Sequence, residues 1–352
     1  MVQVKADKRD IAAFRDFRKS LYRGDRFYFG TAEFVTDMLL RRTTAFARSC
    51  DIRLMSVERG GERKAQCMLI KAPHTDFAQL AFFDSVDDSE AARELIDEAK
   101  TAAREWGAKR LIAGLSGHLS YGVGIVTECS LPNTFDTSYN KLYYARFFEN
   151  FGEAHGLTAY RCPLGEAQKR LAEVKGDTAG YGVREADFSR FNDECETMRR
   201  LCDETIGETY LYVPTEEGHF YELMKDLKIL LTRKNLLFLT FGGEDVGFLF
   251  WHPDFNEAVK AGESVNAPKF ALSYLFNRRK IRTVKFNAFG VKREHRGKGT
   301  LALIRGMNER LGDNYEFIES NFVWDSNRAS TLVTRKLIDS GSRKFKVYEE
   351  KL

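Results

Sequence analysis

Thr283-Val-Lys-Phe-Asn-Ala-Phe-Gly-Val291, then Lys292-Arg-Glu-His-Arg296-Gly297-Lys298-Gly299-Thr300, then Leu301-Ala-Leu-Ile decide how this chain is read. The first run is apolar and reads as a strand; the last opens a helix-period pattern. Between them lies a short basic turn with two glycines. A strand, such a turn and a helix N-terminus together suit an anion such as phosphate. Gly297 and Gly299 let backbone N–H groups converge without a Cβ in the way. The unpaired amides of the first helical turn add partial positive charge. Arg296 and Lys298 add full charge. The plain alternative is a solvated basic turn without a ligand. The stretch contains neither G-x-x-x-x-G-K-[ST] nor G-x-G-x-x-G, which argues against a nucleotide triphosphatase or a dinucleotide site.

Downstream, Glu319-Ser-Asn-Phe-Val-Trp324-Asp-Ser-Asn327-Arg-Ala-Ser reads as a strand and a capped helix, and Lys344-Phe-Lys-Val-Tyr-Glu as a last strand. With these residues the chain resembles the GNAT family, the acyl-coenzyme A-dependent N-acyltransferases. Their Arg/Gln-x-x-Gly-x-Gly/Ala signature stands here as Arg296-Gly-Lys-Gly299-Thr-Leu301, and their helix-opening Asn as Asn327. This resemblance covers residues 181–352. The whole chain is similar to a tandem-GNAT group of bacterial acyltransferase-like proteins. Leu21-Tyr-Arg-Gly-Asp-Arg-Phe-Tyr-Phe, Gly243-Glu-Asp-Val-Gly-Phe and Pro253-Asp-Phe-Asn256 carry that wider likeness. Two positions depart: Leu301 stands where the motif ends in Gly or Ala, and Thr334 where a general-acid Tyr is frequent.

The resemblance implies an α/β (α+β) fold of two GNAT-like domains, each a mixed, mostly antiparallel twisted sheet flanked by helices. It implies acetyl-coenzyme A or another acyl-coenzyme A as co-substrate and no metal. The expected cofactor-binding residues are Gly290, Val291, Arg296, Gly297, Lys298, Gly299, Thr300 and Asn327. A backbone N–H at Gly290 or Val291 would polarise the thioester carbonyl. Asn327 would bond the coenzyme arm or act as a plain N-cap.

The chain has 352 residues, comfortable for two domains. Apolar residues make up 43% and charged residues 30%. The net charge of +4 argues against a nucleic-acid partner. The six cysteines, at 50, 67, 129, 162, 195 and 202, form no C-x-x-C pair and no zinc pattern, as for free thiols in a reducing compartment. The N-terminus shows no signal-peptide core and no window is long and apolar enough to span a bilayer. These features lead us to expect a cytoplasmic protein without a membrane partner.

The pattern of elements reads as one plan used twice. A capping-box-like start at Asp87-Asp-Ser-Glu90 precedes Leu95, Ala99, Ala102 and Trp106 at helical spacing, then Gly107 and the strand Arg110-Leu-Ile-Ala. A helix over 138–151 and a strand at 157–161 follow. The second half repeats this with helices over 301–311 and 327–337. The expected division is an N-terminal domain over 1–162, a linker over 163–180 and a C-terminal domain over 181–352. Ala113-Gly-Leu-Ser-Gly-His-Leu-Ser-Tyr-Gly-Val-Gly124 lacks any cation, so the first domain is expected to shape the acceptor cleft and bind no cofactor.

Acyl transfer to a small-molecule or peptide amine by direct attack in a ternary complex needs one proton removed. Glu319 shares a strand face with Asn321, away from Ile318, Phe322 and Trp324, and is the candidate base; an ion-pair role is the alternative. Tyr348 is the candidate acid for the departing thiolate. A sensor or scaffold holding acyl-coenzyme A, and an aminoacyl or peptidyl transferase, are the other readings. The oligomeric state is not legible in the sequence.

Overall fold

A computed structural model describes residues 8–352. Three helices, α1 (Lys8–Tyr22), α2 (Glu33–Leu40) and α3 (Ala45–Ser49), lead into the strands β1 (Asp51–Arg59), β2 (Glu62–Lys71) and β3 (Phe77–Ser85). Helix α4 (Ser89–Glu105) crosses over to β4 (Arg110–Ala113). Strand β5 (Ile125–Cys129), the short α5 (Tyr144–Phe147) and β6 (Glu153–Pro163) complete the first half, and α6 (Leu164–Glu173) joins the halves.

The second half opens with β7 (Tyr181–Glu185), α7 (Phe191–Ile206), α8 (His219–Met224), β8 (Leu236–Phe241) and β9 (Glu244–Pro253). Helix α9 (Ala267–Asn277) and β10 (Thr283–Val291) follow. Then come α10 (Lys298–Asn308), β11 (Phe317–Ser320), the two-residue β12 (Val323–Trp324), α11 (Arg328–Leu337) and β13 (Gly341–Lys351).

All strands join one sheet in the order β1-β2-β3-β4-β13-β6-β11-β10-β9-β8-β7, with β12 on β6 and β5 on β13. Only β3–β4 and β10–β11 are parallel, each joined by a helix; every other pairing is antiparallel. The last strand does not close its own half. It lies between β4 and β6 of the first, pairing Tyr348 with Ala113 and Phe345 with Leu157. In return β6 pairs with β11, Phe317 opposite Pro163. The halves therefore share one continuous sheet.

Helix α10 begins at Lys298, three residues before the expected start. The helix expected over 138–151 shrinks to α5. The Asn140 side chain explains the difference: its Oδ1 accepts from the Val126 amide at 2.6 Å and its Nδ2 donates to the Val126 carbonyl at 3.2 Å, which holds the preceding segment against β5.

Where the halves cross, Glu319, Lys285 and Arg343 are buried together. Lys285 Nζ donates to Thr134 Oγ1 at 2.9 Å, Thr137 Oγ1 at 2.8 Å and Glu319 Oε1 at 3.2 Å. Arg343 donates to the same carboxylate and to the Pro132 carbonyl. Arg161 stands 3.5 Å from the other oxygen. This cluster ties β6, β10, β11, β13 and the 132–137 loop into one clasp.

Candidate active site

Strands β10 and β11 pair only from Thr283–Phe317 to Phe286–Ser320, then part. The register of β10 on β9 slips between Phe286 and Ala288, so Asn287 sits on an irregularity at the fork. Beyond it, β10 runs to Val291 and into the basic turn.

Gly297 holds φ 85, ψ −90, a backbone that side chains other than glycine rarely adopt. It directly precedes α10, whose first-turn amides have no side-chain cap. Uncapped amides of this kind are the groups with which helix starts bind anions. Gly299 serves another purpose: a Cβ there would lie 2.8 Å from Leu239 Cδ2 and 3.2 Å from the Tyr181 ring, so this glycine lets α10 lie close on the sheet. Arg296 donates from Nε to the Val291 carbonyl at 3.2 Å and from its Nη2 to the Thr205 carbonyl at 3.3 Å, clipping the end of β10 to α7. Lys298 is exposed at the helix start.

An open cleft of about 1160 Å³, including solvent at its mouth, runs between this turn, the end of α7 and α11. Gly290, Val291, Arg296, Gly297, Thr300 and Asn327 line it, so six of the eight expected cofactor residues meet in one place. Lys298 and Gly299 are not in its wall. Leu301, the departure from the motif, is in the wall. Asn327 caps α11, accepting from the Ser330 amide at 3.1 Å.

Two apolar cavities flank the fork. The larger, about 1370 Å³ with its open mouth, has walls from both halves: His118 and Leu119 from the first, Met198, Leu223, Phe250 and Trp324 from the second. It shares Ile206, Thr209, Phe289, Asn327 and Ser330 with the cleft, so the two adjoin at the fork. The smaller, about 590 Å³, lies between α6, α10 and α11, with Leu164, Met307 and Val333 in its wall. It meets the cleft at Leu171, Phe289, Ile304, Val333 and Leu337. Thr334 faces both cavities.

The polar floor of the larger cavity was not anticipated from the sequence. Asp136, a non-glycine residue at φ 63, lines it. His252 Nε2 stands 3.3 Å from Asp136 Oδ2 and 3.3 Å from Asn287 Nδ2. His252 Nδ1 is 2.8 Å from the Pro253 carbonyl, so Nδ1 carries a proton and donates it. Asn287 Nδ2 also donates to Asp136 Oδ2 at 3.4 Å, so one amide group reaches both the imidazole lone pair and the carboxylate and holds the three side chains together. These three residues come from a loop, β9 and β10, far apart in sequence; the one local hint is a histidine ending a strand just before Pro253-Asp254.

The two expected catalytic residues lie elsewhere. Glu319 is fully enclosed in the clasp, where burial opposes its charge and Lys285 and Arg343 still hold its carboxyl below the usual range. No face of it reaches the larger cavity. Tyr348 stacks on Phe148 at 5.3 Å in the core of the first half, and burial raises its hydroxyl. It is an internal packing residue, away from the cleft, because β13 is placed in the other half of the sheet.

This is the fold of tandem GNAT proteins. The chain superposes on a tandem GNAT protein from the clavulanic acid biosynthesis pathway with TM-score 0.56, at 13% identity, over 99% of this chain and 96% of that one. A GCN5-related N-acetyltransferase from Sphaerobacter thermophilus gives 0.50 at 11% identity, covering 95% and 93%. One from Anabaena variabilis gives 0.53 at 8% identity, covering 97% and 71%. No family model matches the chain. Among curated proteins it is similar to the bacterial ceramide synthase of Caulobacter vibrioides, 24% identical over 343 residues, 90% of this chain and 88% of that protein. No helix among the described residues is long and apolar enough to cross a membrane.

Proposed function

We propose that this protein is an acyl-coenzyme A-dependent N-acyltransferase that joins a fatty acyl group to a long-chain amine. The observation that carries this is the junction at the fork, where the cleft at the basic turn shares walls with two apolar cavities. An amide with two long tails needs two apolar places beside one reaction centre. The ceramide synthase named above makes a product of that kind, which agrees.

In this reading the α10 amides, Arg296 and Lys298 hold the coenzyme's phosphates, and its arm runs between β10 and α11 past Asn327. The acyl tail enters the smaller cavity and the amine's tail the larger. The substrate ammonium meets the Asp136 carboxylate, which orients it. Its proton passes to the Asp136–His252 pair, freeing the nitrogen lone pair. The nitrogen attacks the thioester carbon, the carbonyl oxygen is stabilised by strand amides near Gly290, the C–S bond breaks, and the leaving thiolate takes up the second proton that the nitrogen loses as the amide forms. Low polarity around the fork favours the neutral amine.

The test is release of free coenzyme A from palmitoyl- or acetyl-coenzyme A, with sphinganine or a short water-soluble amine as acceptor. Turnover is expected with the pair of long chains. Turnover with acetyl-coenzyme A and the short amine alone would overturn the substrate assignment, and no coenzyme A binding would overturn the reading entirely. A second reading, a non-catalytic acyl-coenzyme A sensor, rests on Thr334 and Leu301; it predicts binding without turnover for any acceptor.

A further inference from the structure

Helix α9 is apolar on two sides. Phe270 is buried and Tyr274 packs beside it in the core of the second half. On the outside Leu272, Leu275 and Phe276 are 56%, 61% and 78% exposed. Their spacing places them on one stripe of the helix. Ile229, 78% exposed, stands on the turn Lys228–Leu230, whose Leu230 carbonyl accepts from the Tyr274 hydroxyl at 3.5 Å. The two protrusions thus belong to neighbouring segments.

The end of α9 runs into Arg278-Arg279-Lys280, all exposed. Among the described residues no carboxylate forms an ion pair with any of the three; Lys280 bonds the Asn277 amide oxygen, at 2.9 Å. Of the acidic groups around these segments, Glu263 is held by Lys260 and Lys269, and Glu257 accepts from the Arg282 and Thr283 amides and the Thr283 hydroxyl, leaving Asp226 as an exposed carboxylate against three cations. Exposed large apolar side chains grouped on one face mark a surface meant to be covered.

We infer that α9 and the 229 turn dock on the surface of an anionic phospholipid membrane. Charge complementarity selects this occupant: the cations need a layer of phosphates, and the adjoining apolar stripe needs hydrocarbon within a side chain's length of it. A second copy of the chain would bring the same unpaired cations to the contact and repel. The segment bearing Ile229 continues from Leu223 and Leu227, which wall the larger cavity, so the docked edge adjoins that cavity. The absence of a membrane-spanning segment, which led us to expect no membrane partner, has no bearing on a surface contact.

The test is flotation of the full-length protein with vesicles of phosphatidylcholine, alone or with a minority of phosphatidylglycerol. Flotation is expected only with the anionic lipid, weakening as salt is added. The double variant Leu275→Ser/Phe276→Ser removes surface apolar groups without touching the core. It should lower partitioning about tenfold or more while leaving the melting temperature unchanged. Arg278→Glu/Arg279→Glu should do the same. No flotation at low salt, or equal flotation by the Leu275→Ser/Phe276→Ser variant, overturns the proposal. So does a dimer in solution that the same variant splits while vesicles fail to bind. Binding is read without turnover, so failure of the acyltransferase reading leaves this result standing.

Discussion

The two halves build the same strand–helix–parallel strand unit and finish its turn in opposite ways. In the first, β3 ends at Ser85 and Asp88 caps α4, its carboxylate accepting from the Glu90 and Ala91 amides at 3.0 Å each. In the second, Gly297 stands at the capping position and has no side chain to offer. A carboxylate N-cap is an internal anion; it occupies the amides that an external phosphate would use. One helix start is filled by its own chain, and the other is left open and ringed with cations. Buried alanines, among them Ala91, Ala92, Ala99 and Ala103, let α4 lie flat on its sheet, whereas a cleft remains between α10 and α11. Both units keep the strand–helix–strand plan, and only the second pairs an uncapped helix start with an adjoining cleft.

The sharpest test of this division asks whether chemistry needs residues from both halves. Asp136 comes from the first and His252 from the second. Asp136→Asn should lower turnover by a factor of ~10² to 10⁴ with coenzyme A affinity nearly unchanged. Normal turnover in Asp136→Asn, or a parallel loss of coenzyme A binding, would remove the pair from the mechanism. Glu319→Gln should act on stability instead. It leaves Lys285 and Arg343 buried without their countercharge, at a cost of about 3–5 kcal/mol. Denaturant melts of that variant should show both halves unfolding together at lower denaturant, since the clasp is common to them.

The seam also carries a pH dependence. His219 of α8 packs against Phe46, His118 and Tyr121 of the first half, and neither of its ring nitrogens has a partner. Burial holds it at about 4, and holds His118 at about 3, against an ordinary value of 6.5. Both folded values are depressed. The stability they confer is fully present above pH 6.5, where folded and unfolded chains are equally neutral. As the pH falls below that, only the unfolded chain gains protons, and stability is lost down to the folded values near 4 and 3. For His219 alone the loss is on the order of 3 kcal/mol. His219→Phe should flatten melting temperature against pH across this window; an unchanged curve would exclude His219 as a source.

Gly297→Asp brings the first half's capping carboxylate into the second, and Gly297→Ala controls for the strain that any side chain meets at φ 85. Beyond the effect of the Ala variant, the carboxylate should compete for the α10 amides and weaken coenzyme A on the order of 100-fold, roughly 2.7 kcal/mol, in calorimetric titration. Unchanged affinity would mean that the amides do not hold the phosphates.

What the sequence revealed, and what it hid, follows from the range of the interactions. The basic turn, the α10 start and Asn327 as a helix-opening residue are local matters of spacing and capping, and were legible. The placement of β13 was not, because β4 and β6 compete for it through pairings more than 180 residues away that leave no local trace. Glu319 illustrates the same limit: alternation set it opposite Ile318, Phe322 and Trp324 on one strand, but the strand breaks after Ser320, Ile318 and Trp324 pack in different cores, and Arg343 and Lys285 close over the carboxylate from far along the chain. Nor did the sequence point to Asp88 as the counterpart of Gly297: the 113–124 loop has the glycines of the basic turn, whereas the fold aligns the two helix starts.

Asp88→Ala gives the smallest effect and the cleanest comparison. Removing this N-cap leaves the Glu90 and Ala91 amides without their acceptor and costs about 1 kcal/mol of stability. It also opens the first half's helix start, leaving amides as free as those of α10. If open amides alone made a phosphate site, the variant would acquire a second coenzyme A site. We expect none. Val86-Asp87-Asp88 supplies no cation, and Asp87, held in an ion pair by Arg146, remains to repel phosphate. Titration of Asp88→Ala should therefore give the same single stoichiometry as the unmodified protein, together with a slightly lower melting temperature. A second binding event would show that the cap alone separates the halves, and that the cations of the second half's turn set affinity rather than the existence of a site.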